Sequence, residues 1–188
     1  MINNSFIFPA LLSPDECSSI IEFCSTNQPL ENATVNVNGK YEVYEKARKS
    51  KVNFYPYQDN FSWVLDRIKE GMNKQISLKG FEINYEANFQ FTCYEVGEYY
   101  GWHQDDSGSG PAATRAYSIV IQLSDEYEGG LLQFKKDGIQ TFSPGPGRMI
   151  VFPSFWSHQV TPVTQGTRYS LVSWFSLKKQ PGYTQTLL

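Results

Sequence analysis

The sequence predicts a mainly β fold with flanking helices. Three observations carry that expectation. Apolar and polar residues alternate with period two from Phe81 onward, Gly/Pro turns cut that half into short strands, and two amphipathic helical stripes lie before it. Short strands of this kind close into a sandwich or barrel, with the helices packed on the outside.

The elements follow in order. Ser13-Pro14-Asp15-Glu16 has the form of an N-cap, a proline at the first helical position and a glutamate at N3. Cys17, Ile20, Ile21 and Cys24 then share one face, which predicts a helix over 14–26. Val35, Val37, Tyr41, Val43 and Val52 suggest extended segments around an Asn38-Gly39 turn. Phe61, Val64, Leu65, Ile68, Met72 and Ile76 form a second helical stripe after a capping Asp59-Asn60. Beyond it, Phe89, Phe91 and Cys93 alternate with Gln90, Thr92 and Tyr94, and Tyr117, Ile119, Ile121 and Leu123 with Ser118, Val120 and Gln122. Glu128-Gly129-Gly130 turns into Leu131–Phe134, Pro144-Gly-Pro-Gly147 leads into Met149–Phe152, and a last strand runs over 168–177.

The 188 residues suit a single domain over 1–188, with 1–80 a helical flank and 81–177 a β-core. A net charge of −3 argues against a nucleic-acid backbone binder, which normally carries a basic surplus. Three cysteines, Cys17, Cys24 and Cys93, are too few and too odd for a disulfide framework and read as apolar fillers in a reducing compartment. The opening Met-Ile-Asn-Asn-Ser has no basic segment followed by an apolar one, and no apolar run reaches membrane-spanning length. A cytoplasmic protein without membrane contact is the expectation.

The chain's two histidines are the most informative residues. His103 and Asp105 are two apart at the end of an extended stretch, so both can point to one side. His158 stands before another strand in the same β-rich half. Either histidine alone would more often be an ordinary hydrogen-bonded residue. Together with Asp105 they can supply the facial triad of a non-haem Fe(II) site, which leaves open positions for a co-substrate and O2. Arg168 and Ser170 follow on one strand face with Val172 and Trp174. A guanidinium beside a hydroxyl makes a carboxylate seat, and an arginine inside a β-core is costly unless an anion meets it.

Four stretches now carry a family resemblance: Tyr94-Glu-Val-Gly-Glu-Tyr-Tyr-Gly-Trp-His103-Gln-Asp105, Leu123 to Phe134, Pro144 to Pro153, and His158 to Ser170. Together they resemble the 2-oxoglutarate- and Fe(II)-dependent dioxygenases, and most of all the prolyl 4-hydroxylase-like branch with its PKHD-type members. The likeness is strong over about 80–177 and looser before it. It implies a double-stranded β-helix, or jelly roll, with the metal between its sheets. His103, Asp105 and His158 would ligate Fe(II). Arg168 would bind the distal carboxylate of 2-oxoglutarate, with Ser170 and Tyr94 as supporting donors. Prolyl hydroxylases proper commonly use a lysine there, so Arg168 points to PKHD-type members and away from collagen-like substrates. The implied activity couples C–H hydroxylation, of peptidyl proline above all, to decarboxylation of 2-oxoglutarate to succinate. O2 is the other co-substrate, and the resemblance allows ascorbate. Related halogenases have a small residue in place of the carboxylate, so Asp105 favours hydroxylation.

A peptide or protein substrate is the implied partner. Tyr99, Tyr100, Trp102 and Trp156 flank the triad and could wall an aromatic slot for an extended chain, or could be core packing. Asp106 to Ala113 could be a lid or a plain loop. The run from Lys46 to Lys51 reads as solvated surface, with a place for Arg48 near the substrate mouth implied by the resemblance. One alternative is a nucleic-acid oxidative demethylase. Those proteins tend to carry a second arginine after Arg168, which the stretch to Ser176 lacks. The other is a non-catalytic jelly-roll binding module, disfavoured by the intact ligand set.

Overall fold

The computed structural model describes residues 4–58, 60–75, 80–106, 111–142 and 145–182. The expected helices form over Pro14–Asn27 (α1) and Ser62–Gln75 (α2). In α1 the capping box closes as the sequence predicts: the Ser13 hydroxyl accepts from the Glu16 N–H, and the Glu16 carboxylate accepts from the Ser13 N–H. Asp59 and Ile76, read as a cap and the end of the second stripe, lie outside the described residues.

The strands build two facing sheets. The larger orders Phe6–Phe8, Met149–Pro153, Tyr117–Gln122, Arg168–Lys179, Asn88–Tyr94, Lys51–Pro56 and Glu31–Asn32, with Phe81–Tyr85 paired to the far half of Arg168–Lys179. The smaller orders Ile139–Phe142, Leu132–Lys135, His158–Val160, Tyr99–His103 and Arg48–Lys49. All of these pairings are antiparallel. Two facing sheets wound in this way are the jelly roll that the resemblance implies. The first 80 residues supply more than helices: four of their strands join the two sheets. None of these has enough alternation to announce its distant partner.

Both faces of the large sheet are buried, for different reasons. One face sends Phe89, Phe91, Ile119, Ile121, Leu171 and Phe175 into a cluster with Val64, Ile68 and Met72 of α2 and Ile20 and Cys24 of α1. The other face, with Gln90, Tyr94, Val120, Arg168, Ser170 and Trp174, lines the space between the sheets. The polar half of the alternation therefore faces an interior cavity and not bulk water. All three cysteines are free and buried, and burial raises the thiols of Cys17 and Cys93 to about 11 and that of Cys24 to about 12. No helix among the described residues is long and apolar enough to cross a membrane.

Candidate active site

His103 ends one strand of the small sheet, His158 begins its neighbour, and the two are cross-strand partners. Asp105 lies just past the strand, held by its N–H to the Ser154 carbonyl at 2.9 Å. The three side chains converge, with one ligand atom from each within 4.8 Å of the others. Asp105 Oδ1 is 3.5 Å from His103 Nε2, and Oδ2 is 3.6 Å from His158 Nε2.

Each imidazole is aimed by its other nitrogen. His103 Nδ1 meets the Gly101 carbonyl at 2.8 Å and His158 Nδ1 the Trp156 carbonyl at 2.9 Å. A carbonyl only accepts, so Nδ1 carries a proton and Nε2 is the atom turned to the common centre. Burial, with the His103 imidazole beside it, lowers His158 to about 4, so it is neutral at neutral pH. Burial alone would raise the Asp105 carboxyl. The adjoining His158 and His103 and the Ser118 hydroxyl outweigh that and hold it well below the usual carboxylate range. Ser118 reaches across from the large sheet, donating to Asp105 Oδ2 at 2.6 Å, with Ser154 Oγ 2.9 Å behind it. Two imidazole nitrogens and one carboxylate oxygen are a donor set that suits a divalent first-row metal.

Arg168 lies in the same cavity, 2% exposed. Its Nη1 donates to Ser170 Oγ at 3.3 Å, the Tyr94 ring centroid is 5.4 Å from its Cζ, and its Nε has no partner. Among the described residues no carboxylate lies within ion-pair distance of it. Gly130 makes room for its stem: at φ +56°, a Cβ there would fall 3.0 Å from Arg168 Cδ. A buried guanidinium with an idle N–H and no counter-charge fits the seat of an anionic co-substrate.

The cavity holding both features is about 910 Å³. Of the aromatics flagged in sequence, Tyr100 and Trp102 line it. Tyr100 stacks on the His103 ring, with centroids 3.5 Å apart. Tyr99 instead donates to the Glu45 carbonyl at 2.9 Å, and Trp156 packs edge-on against Phe134 in the core. Of the stretch from Asp106 to Ala113, Ser107–Gly110 lie outside the described residues, while Pro111–Thr114 form a 3-10 turn. Sequence reasoning missed Ser118, Arg115 and Glu86. Arg115 lies 3.7 Å from the Trp174 ring centroid and is bound by both Glu86 oxygens, at 2.6 and 3.1 Å. Glu86 and Arg115 are distant in the chain, and only the pairing of strands brings them together.

The family model described as 2OG-Fe(II) oxygenase superfamily matches residues 89–176, the stretch that carries this site. Over that stretch the chain is similar to the 2OG-Fe(II) oxygenase superfamily. A PKHD-type hydroxylase of Idiomarina loihiensis is 32% identical over 127 residues, covering 66% of this chain and 57% of that protein. A PKHD-type hydroxylase of Thermosynechococcus vestitus is 42% identical over 98 residues, covering 48% of this chain and 44% of that protein. The chain thus spans about half the length of these curated relatives. Among solved structures, a Pseudomonas putida prolyl-4-hydroxylase superposes with a TM-score of 0.70 at 21% identity, covering 96% of this chain and 95% of that one. A Trichoplax adhaerens prolyl hydroxylase in complex with a hypoxia inducible factor peptide fragment gives 0.73 at 17% identity, covering 93% and 84%. At these identities the structural likeness speaks for the fold alone. The superfamily is named for 2-oxoglutarate and Fe(II), and the donor types described above suit that metal.

Proposed function

We propose that this chain is an Fe(II)- and 2-oxoglutarate-dependent hydroxylase of a peptide or protein substrate, with proline as the oxidised residue. One observation carries the reading: a single cavity pairs a two-histidine, one-carboxylate cluster with a buried arginine that no acid among the described residues answers. The relatives named as PKHD-type hydroxylases support the hydroxylase reading.

The assigned reaction takes a substrate C–H bond, O2 and 2-oxoglutarate to an alcohol, succinate and CO2. One oxygen atom enters the alcohol and the other the new carboxylate of succinate. Bound iron supplies the redox chemistry with O2 and the open positions for the keto acid. The chain's own residues do the rest. His103, Asp105 and His158 hold the metal, while the Gly101 and Trp156 carbonyls and Ser118 keep those ligands aimed. Arg168 and Ser170 take the distal carboxylate of 2-oxoglutarate beside Tyr94. Trp174, with Arg115 over its ring and Glu86 behind Arg115, forms a rigid wall beside the substrate.

The test is succinate formation by Fe(II)-loaded protein, followed by mass spectrometry of proline-containing peptides for a gain of one oxygen. His103→Ala is expected to abolish both. Full turnover in that variant contradicts the assignment.

A further inference from the structure

Arg48 is the second buried arginine of the cavity, 7% exposed on the edge strand Arg48–Lys49. Its Nε donates to Ser50 Oγ at 2.8 Å, and its buried Nη2 has no partner. Arg67 and Arg115 are each met by a carboxylate, Glu16 and Glu86, at 2.6 Å. Among the described residues Arg48 has none. The proposed co-substrate would not supply one either, because the reading above assigns its distal carboxylate to Arg168 and its keto-acid end to the metal. A buried, unanswered guanidinium is costly to desolvate. A neutral carbonyl offsets only part of that, whereas a carboxylate also neutralises the charge and can bind both guanidinium nitrogens at once.

The charge around the cavity agrees. Besides Arg115, which Glu86 answers, its described lining contains Lys46, Arg48 and Arg168 but one carboxylate, the Asp105 already placed at the metal centre. This positive character is local, since the chain as a whole carries −3. The position also fits. Arg48 Cζ lies 4.6 Å from the Tyr100 ring centroid, and that ring is stacked at 3.5 Å on His103. An extended peptide advances about 3.3–3.6 Å per residue, so an acid held by Arg48 falls within about three residues of the atom at the metal.

We infer that Arg48 is a specificity subsite for a carboxylate side chain, so that this enzyme selects peptides with an aspartate or glutamate within about three positions of the oxidised residue. The inference rests on the hydroxylase reading above. Its test uses short acetylated, amidated peptides with a central proline and one Asp, or one Asn, at each flanking position in turn. Blocked termini leave the side chain as the only carboxylate. At one or two positions the Asp peptide is expected to show a KM about tenfold below its Asn counterpart. Fluorescence anisotropy on protein loaded with Mn(II) and 2-oxoglutarate is expected to give the same ratio without turnover. Arg48→Gln should bring the ratio close to one, and Arg48→Lys should keep part of it.

Equal binding of Asp and Asn peptides, a preference that survives Arg48→Gln, or no peptide bound at all overturns the inference. So does a 2-oxoglutarate affinity that falls about tenfold in Arg48→Gln when the wild type shows no Asp preference, because the arginine then serves the co-substrate. Wild-type protein that prefers the acidic peptides yet fails to bind 2-oxoglutarate sinks the hydroxylase reading and leaves the carboxylate subsite standing.

Discussion

The two faces of the large sheet come from the same strands and are both buried, yet they are built to opposite rules. On the helix side every large side chain is answered by another: Phe89 sits 4.5 Å from Tyr57 and 6.1 Å from Phe61, ring to ring, over α2. On the cavity side, polar groups are left waiting. Arg168 Nε and Trp174 Nε1 are buried without partners, as is Arg48 Nη2 on the facing small sheet. Close packing stabilises one face, while the other holds hydrogen-bonding capacity that the chain itself leaves open. Stability is concentrated on the first and chemistry on the second.

The sharpest way to break this comparison is a cavity on the helix side. Phe89→Ala should cost about 3–5 kcal/mol in denaturant unfolding, with turnover per folded molecule retained. The converse substitution acts on the cavity side. Arg168→Met removes a buried uncompensated charge and keeps most of its volume, so the ligand-free protein should gain about 1 kcal/mol or more while 2-oxoglutarate binding is lost. A loss of stability instead would mean that this arginine is a structural part of the fold.

Ser118→Ala tests the support between the sheets. Metal affinity should fall about 10–100-fold by calorimetric titration, because Asp105 loses the hydroxyl that orients it. The smallest effect lies far from the cavity. The Arg67 guanidinium, with the Ser13 N–H, lowers Glu16 to about 2. Its folded pKa lies below the unfolded value of 4.5, so its stabilisation is complete above pH 4.5 and fades as pH falls towards 2. The pair is partly exposed, so Glu16→Gln should cost no more than about 1 kcal/mol at neutral pH and flatten that acid limb.

The same contrast explains what was legible in the sequence. Local signals were readable: the Ser13/Glu16 cap, the α1 and α2 stripes, and the alternation over residues 88–94 and 117–122. His103 and Asp105 were readable as a pair because a two-residue spacing decides which way side chains point. The approach of His158 was legible only through the order of its surrounding motifs. The pairing of Lys51–Pro56 with Asn88–Tyr94, the Glu86–Arg115 ion pair and the reach of Ser118 to Asp105 depend on contacts between distant segments. No local pattern encodes those. Alternation over 88–94 marks two faces but not what covers them; the second sheet encloses the face of Gln90 and Tyr94 and makes it a cavity.

The central claim is that the cavity face is built around a metal and a keto acid, with Arg168 as the anchor of the latter. Thermal unfolding of Mn(II)-loaded protein with increasing 2-oxoglutarate tests it directly. A ligand at about a hundred times its Kd contributes about 2.7 kcal/mol, so the wild-type Tm should climb by several degrees while Arg168→Met stays flat. Equal climbs in both proteins, or none in the wild type, would contradict it.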